Sequence, residues 1–178
     1  VKRHRILFGG GQEKDGDLPN ALFVDPGLGG TGWAFFPLIT KHPARALPPD
    51  SHGCYRPKQS HSWELRACEI GAWFHGLLRG AGVQHVVMEF AEVYLTNAVS
   101  MSAAQSGDLF KLVYLVGVMG EVTRMECGNA PILVKPKMWK GQLPKDVVIR
   151  RLQETFGKRF HQHEADAVGM GLAAQGLL

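Results

Sequence analysis

Four side chains stand where their types and spacing could do chemistry together. Asp25 closes the apolar run ALFVD, Glu89 closes VVME, and His163 and Asp166 lie three apart in HQHEADAVGMGLAAQ. Residues three apart share a helix face, so one helix would present the imidazole and a third carboxylate side by side. A carboxylate at the end of a buried strand is costly unless it is paired, hydrogen-bonded or metal-bound. For one Asp before Pro-Gly, a turn cap is explanation enough. The pattern recurs at Glu89 and again in the final helix, and a turn cap does not explain that. Three acids converging on one end of a sheet would repel one another by several kcal/mol, which implies a divalent cation. An oxygen-rich set favours Mg²⁺ or Mn²⁺, and one neutral imidazole suits either. Two such ions can hold a scissile phosphate, activate water and stabilise the leaving oxygen, which is the chemistry of phosphodiester hydrolysis. Glu164 points elsewhere on the helix and reads as an acidic first-turn residue favouring its N-terminus.

These residues need elements to carry them. Residues 1–20 mix charges and glycines without period and read as a loose arm, leaving 21–178 as one domain. ALFVD and GWAFF are short apolar runs around a glycine turn, the pattern of a hairpin whose second strand is ended or weakened by Pro37. Four prolines between Lys41 and Ser60 argue for an irregular excursion that could hold a short edge strand. Trp63, Ala67, Ile70, Phe74 and Leu77 step by four and three, giving a helix over 61–79 that Gly80 and Gly82 stop. Trp73 lies off that stripe and is a candidate dimer contact. QHVVMEF is a buried strand, 103–122 a second helix and PILV a further strand. Helices follow over 145–156, opened by Pro144, and over 163–175. The order calls for an α/β domain: a mixed five-stranded sheet with helices on both faces and a site beyond the strands' carboxyl ends.

The stretch VDPGLGGTGWAFF also matches G-x-G-x-x-G through Gly27, Gly29 and Gly32. A dinucleotide loop needs a helix directly after it to receive the pyrophosphate, and TGWAFFP is an aromatic strand. The glycines are expected instead to close a hairpin at positive φ.

Apolar residues make up 45% of the 178 and charged residues 20%, which excludes wholesale disorder. A net charge of +4 and a pI near 9.1 suit a polyanionic partner without requiring one. Cys54, Cys68 and Cys127 form no C-x-x-C pair, so neither a disulfide framework nor a zinc knuckle is signalled. His42, His52, Cys54 and His61 match no standard zinc spacing and read as scattered loop residues. No long apolar run or signal core is present, so a cytoplasmic protein without membrane contact is expected.

ALFVDPGLGGTGWAFF, VVMEF and HEADAVGMGLAAQG resemble the active-site segments of RuvC-like Holliday-junction resolvases, which have the RNase H fold. The similarity runs from about Ala21 to Gly176 and includes NAVSMSAAQSGDLFKL and VKPKMWKGQLPK. It implies a Mg²⁺-dependent endonuclease, with Mn²⁺ as substitute and two ions per site, that cuts four-way DNA junctions as a homodimer. Asp25, Glu89, His163 and Asp166 would be its catalytic and metal-binding set. Many relatives carry Asp where His163 stands, so His163 is either a ligand or the group that orients or deprotonates water. Glu92 is an outside candidate for the glutamate.

Lys135, Lys137, Lys140 and Lys145 crowd one loop, with Arg150 and Arg151 on the next helix. Such a cluster is often only solvated. Beside a metal site it would hold phosphates. Tyr94 and Trp139 are candidates for stacking on unpaired bases, Trp139 equally for a loop anchor. The size also suits a phage or viral version acting in the host cytoplasm. Other readings are a terminase-type nuclease, which normally accompanies an ATPase loop not found here, an actin-like or sugar-kinase-like ATP-binding protein, and a non-catalytic junction-binding module.

Overall fold

Along the first strand, side chains alternate between two separate cores: Ala21 and Phe23 enter one, Leu22 and Val24 the other. That alternation is the period of a strand buried on both faces. The computed structural model describes residues 18–39, 48–90 and 106–178. Within them β1 (Leu18–Asp25), β2 (Thr31–Ile39), β3 (Ser51–Tyr55), β4 (His85–Glu89) and β5 (Ile132–Val134) form one sheet in the order β3-β2-β1-β4-β5. β1, β2 and β3 are antiparallel neighbours, whereas β4 runs parallel to β1, and β5 to β4. This is the expected mixed five-stranded sheet, and the proline-rich excursion does hold an edge strand.

Among the described residues, two helices cover one face. α1 (Trp63–Ala81) buries Ala67, Ile70, Phe74 and Leu78, and α2 (Asp108–Cys127) buries Leu115, Val116 and Met119, all against Leu22, Val24, Val86 and Met88. Ser62 caps α1 at its start, and Gly82, at φ +59°, ends it in the left-handed conformation that glycine adopts without strain. Gly80 lies within the helix rather than stopping it. α2 begins five residues later than its composition suggests, at a Gly107 with φ +77° and an Asp108 that accepts from Ser106 and Lys111. Trp73, half-buried, stacks on Tyr55 of β3 with ring centroids 4.6 Å apart, so one face of its ring packs within this domain.

The other face is covered by α3 (Pro136–Trp139), α4 (Lys145–Phe156) and α5 (Gln162–Ala174). α3 is a single turn within the lysine-rich segment, opened by a proline at its first position. α5 lies directly on β2: a Cβ at Gly171 would fall 2.2 Å from the Phe36 ring, so only glycine allows this approach. Full burial of Phe23, Phe36, Met170 and Leu152 contributes about 1.5–3 kcal/mol apiece and fixes α5 to the sheet.

β1 starts at Leu18, three residues inside the expected arm, and β2 continues through Pro37 to Ile39. Asn20, at φ 49°, interrupts the pairing opposite that proline, and its carbonyl accepts from the Gln84 amide instead. Residues 1–17, the histidine His42, the alternative acid Glu92 and the stacking candidate Tyr94 lie outside the described residues. Among the described residues, no helix is long and apolar enough to cross a membrane.

Candidate active site

Strand parity and register bring the first two acids together. Asp25 follows Ala21 and Phe23, and Glu89 follows Val87, so both face the core covered by α5. The parallel register that pairs Val24 with Met88 carries Asp25 and Glu89 one step further on adjacent strands, at their carboxyl ends. α5 supplies the other two groups from its first turns, where His163 and Asp166 project from one face as their spacing predicts.

What presses α5 against the sheet is the glycine loop. None of Gly27, Gly29, Gly30 or Gly32 has positive φ, so the expected reason for these glycines is wrong. Close approach explains two of them. A Cβ on Gly32 would sit 2.0 Å from the His163 carbonyl oxygen and 2.6 Å from the Glu164 nitrogen, and one on Gly27 would sit 3.2 Å from the His163 ring. Gly32 therefore lets the start of α5 lie on the backbone of β2, which brings His163 to Asp25. The hairpin turn itself is closed by the Gly30 amide on the Gly27 carbonyl and by the Thr31 hydroxyl on the same oxygen.

The site is buried and highly charged. Asp25 is 7% and Asp166 1% exposed. His163 Nδ1 and Asp25 Oδ2 are hydrogen-bonded at 2.6 Å. Trp139 donates its indole N–H to Glu89 Oε2 at 2.7 Å. Lys145 Nζ is 2.6 Å from Asp166 Oδ2, and Lys140 Nζ lies between Asp166 Oδ1 at 3.8 Å and Glu89 Oε2 at 3.9 Å. Burial pushes the Asp25 carboxyl above its ordinary range, opposed by the His163 hydrogen bond and reinforced by the Asp166 charge. Burial likewise raises Glu89 to about 7, with Asp25 and Asp166 adding to the rise and Lys140 and Trp139 opposing it. The hydrogen bond to Asp25 raises His163.

The charge of Asp166 thus adds to the rise of both Asp25 and Glu89, as crowding around a shared cation site would, and Asp166 Oδ1 is buried without a hydrogen-bond partner. That donor set and that orphaned oxygen fit a hard divalent cation. Among the described residues no three His, Cys, Asp or Glu side chains are grouped closely enough to hold an ion, and the ammonium groups of Lys140 and Lys145 stand among the acids. A cation at these acids would compete with the two ammonium groups for the same oxygens.

The expected site residues therefore divide. Asp25, Glu89, His163, Asp166, Lys140 and Lys145 come together. Lys135 and Lys137 are exposed on the segment leading into them. Trp139 is 6% exposed and holds Glu89, so the anchor reading replaces base stacking. Among the described residues, His52 and Cys54 gather no metal set. Sequence reasoning missed a second group of bases at the opposite side of α5, namely His52, Arg56, Lys158 and His161, which no periodicity links.

No protein-family model matches this chain, and no curated protein matches it. Solved structures do. Thermus thermophilus RuvC in complex with a Holliday junction substrate superposes with a TM-score of 0.63 at 18% identity, over 86% of this chain and 90% of the other. A second structure of Thermus thermophilus RuvC gives 0.62 at 18% identity, over 86% and 91%. The yeast mitochondrial Holliday junction resolvase Ydc2 gives 0.55 at 13% identity, over 89% and 79%. At such identities the likeness establishes architecture: this chain has the RNase H-like fold, in a form structurally similar to Holliday junction resolvases.

Proposed function

We propose that the protein is a Mg²⁺-dependent, structure-selective endonuclease that resolves four-way DNA junctions by paired phosphodiester hydrolysis. The observation that carries this reading is the meeting of Asp25, Glu89 and Asp166 with His163 at the carboxyl ends of β1 and β4, on a fold similar to resolvases. Opposed cuts in a symmetric junction need two sites, so the working form is a homodimer.

Asp25, Glu89 and Asp166 would hold Mg²⁺, or Mn²⁺ in its place. The ion, when bound, supplies Lewis-acid stabilisation of charge on the phosphoryl oxygens. Asp25 fixes the His163 ring through Nδ1, leaving Nε2 to orient or accept the proton of an attacking water. Trp139 keeps one Glu89 oxygen in place. Lys140 and Lys145 stand beside the acids and would add positive charge where the transition state gathers negative charge.

The decisive experiment is cleavage of a labelled four-way junction in Mg²⁺. The expected result is symmetric nicks in opposed strands, with Asp25→Asn binding the junction but not cutting it. Equal cutting of linear duplex would remove the junction assignment, and undiminished cutting by Asp25→Asn would remove the site. ATP turnover without DNA cleavage would favour the kinase-like reading instead.

A further inference from the structure

On the side of the centre away from Lys140 and Lys145, a second set of cations is held in an unusual way. Arg56, just beyond the end of β3, directs a guanidinium nitrogen at Nε2 of His161, and Lys158, in the α4–α5 connection, directs its ammonium at Nε2 of His52. A neutral imidazole whose Nε2 accepts from a cation orients that cation without cancelling its charge, as His52 does for Lys158. His52 then donates through Nδ1 to Glu164 Oε1 at 2.5 Å, while Glu164 Oε2 accepts the His161 backbone N–H at 2.8 Å. Both Glu164 oxygens are thereby engaged. Among the described residues neither Arg56 nor Lys158 meets a carboxylate, both are exposed, and Arg56, which also hydrogen-bonds the Cys54 thiol, keeps further guanidinium N–H donors for a ligand.

The two cations are also positioned in advance. Lys158 Nζ sits 5.3 Å above the ring of Phe160, which is 8% exposed. The stem of Arg56 lies along Gly30 in the turn whose Gly27 meets His163. The centre is close by: Asp25 and Glu164 both raise the Cys54 thiol, next to burial as the main cause. Sheet order sets the geometry, because β3 lies on one side of β1, and β4 and β5 lie on the other.

We infer that Arg56 and Lys158, oriented by His161 and His52, form a second phosphodiester-binding site that grips the nucleic-acid backbone on the β3 side of the centre, opposite Lys140 and Lys145. The ligand is a phosphodiester of the DNA strand flanking the one to be cut. Arg56 supplies the fork that matches two phosphate oxygens, and Lys158 adds a point charge. Fixing both side chains before DNA arrives lowers the entropy lost on binding. A salt bridge built only to tie α5 to β3 would be expected to match its cations to carboxylates. This inference rests on the nuclease reading and extends it to residues outside the acidic set.

The test uses the full chain in the Asp25→Asn background, so that DNA binding is read without cleavage. Anisotropy of a labelled four-way junction is followed from about 50 to 300 mM salt for Asp25→Asn alone and with Arg56→Gln, Lys158→Gln or Arg56→Lys added. Each glutamine variant is expected to weaken binding roughly three- to tenfold at about 0.1 M salt and to reduce the slope of log affinity against log salt by about one. Arg56→Lys should retain the slope while losing part of the affinity, which a purely structural role would not produce. Unfolding curves accompany every variant. Glutamine variants that fold with unchanged affinity and slope overturn the inference, and so does absence of DNA binding by Asp25→Asn itself. Reduced slopes in a protein whose wild type cuts no junction would sustain this site and remove the nuclease reading, so the two failures are distinguishable.

Discussion

The ammonium of Lys145 lies 2.6 Å from Oδ2 of Asp166, a carboxylate whose side chain is 2% exposed. Removing one partner of a buried pair leaves the other charge uncompensated, which is strongly destabilising. Lys145 is itself one-third exposed, so Lys145→Ala should cost the metal-free protein about 2 kcal/mol rather than the full buried-pair penalty. Mg²⁺ should restore much of that loss, because it takes over the same oxygen and stabilises the state it binds. Unfolding midpoints in chelator and in Mg²⁺ measure both effects. A Lys145→Ala protein that melts like wild type in chelator would show that the contact holds nothing together.

Stability without metal should fall as pH rises. Glu89 titrates near 7 in the folded protein against an ordinary 4.5, so between these values the folded state binds a proton that the unfolded chain has released. The folded state is favoured at the low end of that window and loses the advantage toward its high end. Asp25 is shifted in the same direction, and the raised His163 adds stability that is present below its ordinary 6.5 and lost as pH passes its folded value. For Glu89 alone the change is on the order of 2 to 3 kcal/mol. Unfolding midpoints in chelator should therefore decline from about pH 5 to 8, while Mg²⁺, which binds ionised carboxylates, flattens or reverses the trend. A midpoint in chelator that rises across this range would contradict the crowded-carboxylate account.

Trp139 donates to Glu89 Oε2, and without that donor the ionised form of Glu89 loses one of its stabilising contacts. Trp139→Phe keeps most of the packing against Val148 and Gly169 but removes the N–H. A hydrogen bond to a charged group contributes about 1.5–3 kcal/mol, so the Mg²⁺ concentration giving half-maximal cleavage should rise roughly tenfold. Affinity for DNA in the Asp25→Asn background should change little, since the indole is buried. An unaltered Mg²⁺ dependence would show that Glu89 needs no such anchor.

Much of this arrangement can be read before folding, because strands and helices have fixed periods. Phe23 and Asp25 share a face by parity alone, as do Val87 and Glu89, and the spacing of His163 and Asp166 is helical. α1 follows from its apolar stripe. The partners of the long cations are not legible in that way. Lys140, Lys145, Arg56 and Lys158 reach their partners across loops, and nothing periodic fixes where a flexible stem ends. The start of α2 is not legible from composition, because its small and apolar residues give no sharp boundary; the signal is local, in Gly107 and the Ser106–Asp108 contact. β3 is short and lies among prolines, so its pairing with β2 settles it more than its own composition. The glycines misled in a different sense. Their spacing was visible, but whether a glycine serves φ or proximity depends on what packs against it.

That last distinction gives a paired test within one turn. At Gly32 an added methyl would meet backbone atoms of His163 and Glu164 at 2.0–2.6 Å, and backbone in a helix start cannot move aside as a side-chain tip can. At Gly29 nothing lies within 4 Å, and φ is not positive. Gly32→Ala should therefore destabilise by about 3 kcal/mol or more and displace the first turn of α5. With that turn go His163 and Asp166, so junction cleavage should fall at least a hundredfold even at temperatures where the variant remains folded. Gly29→Ala should melt within about 0.5 kcal/mol of wild type and cut normally. Measured together by thermal unfolding and single-turnover cleavage, the two variants separate close approach from turn geometry. If Gly29→Ala were the more damaging of the two, the loop would be acting through its own conformation, and β2 would not be what sets the position of His163.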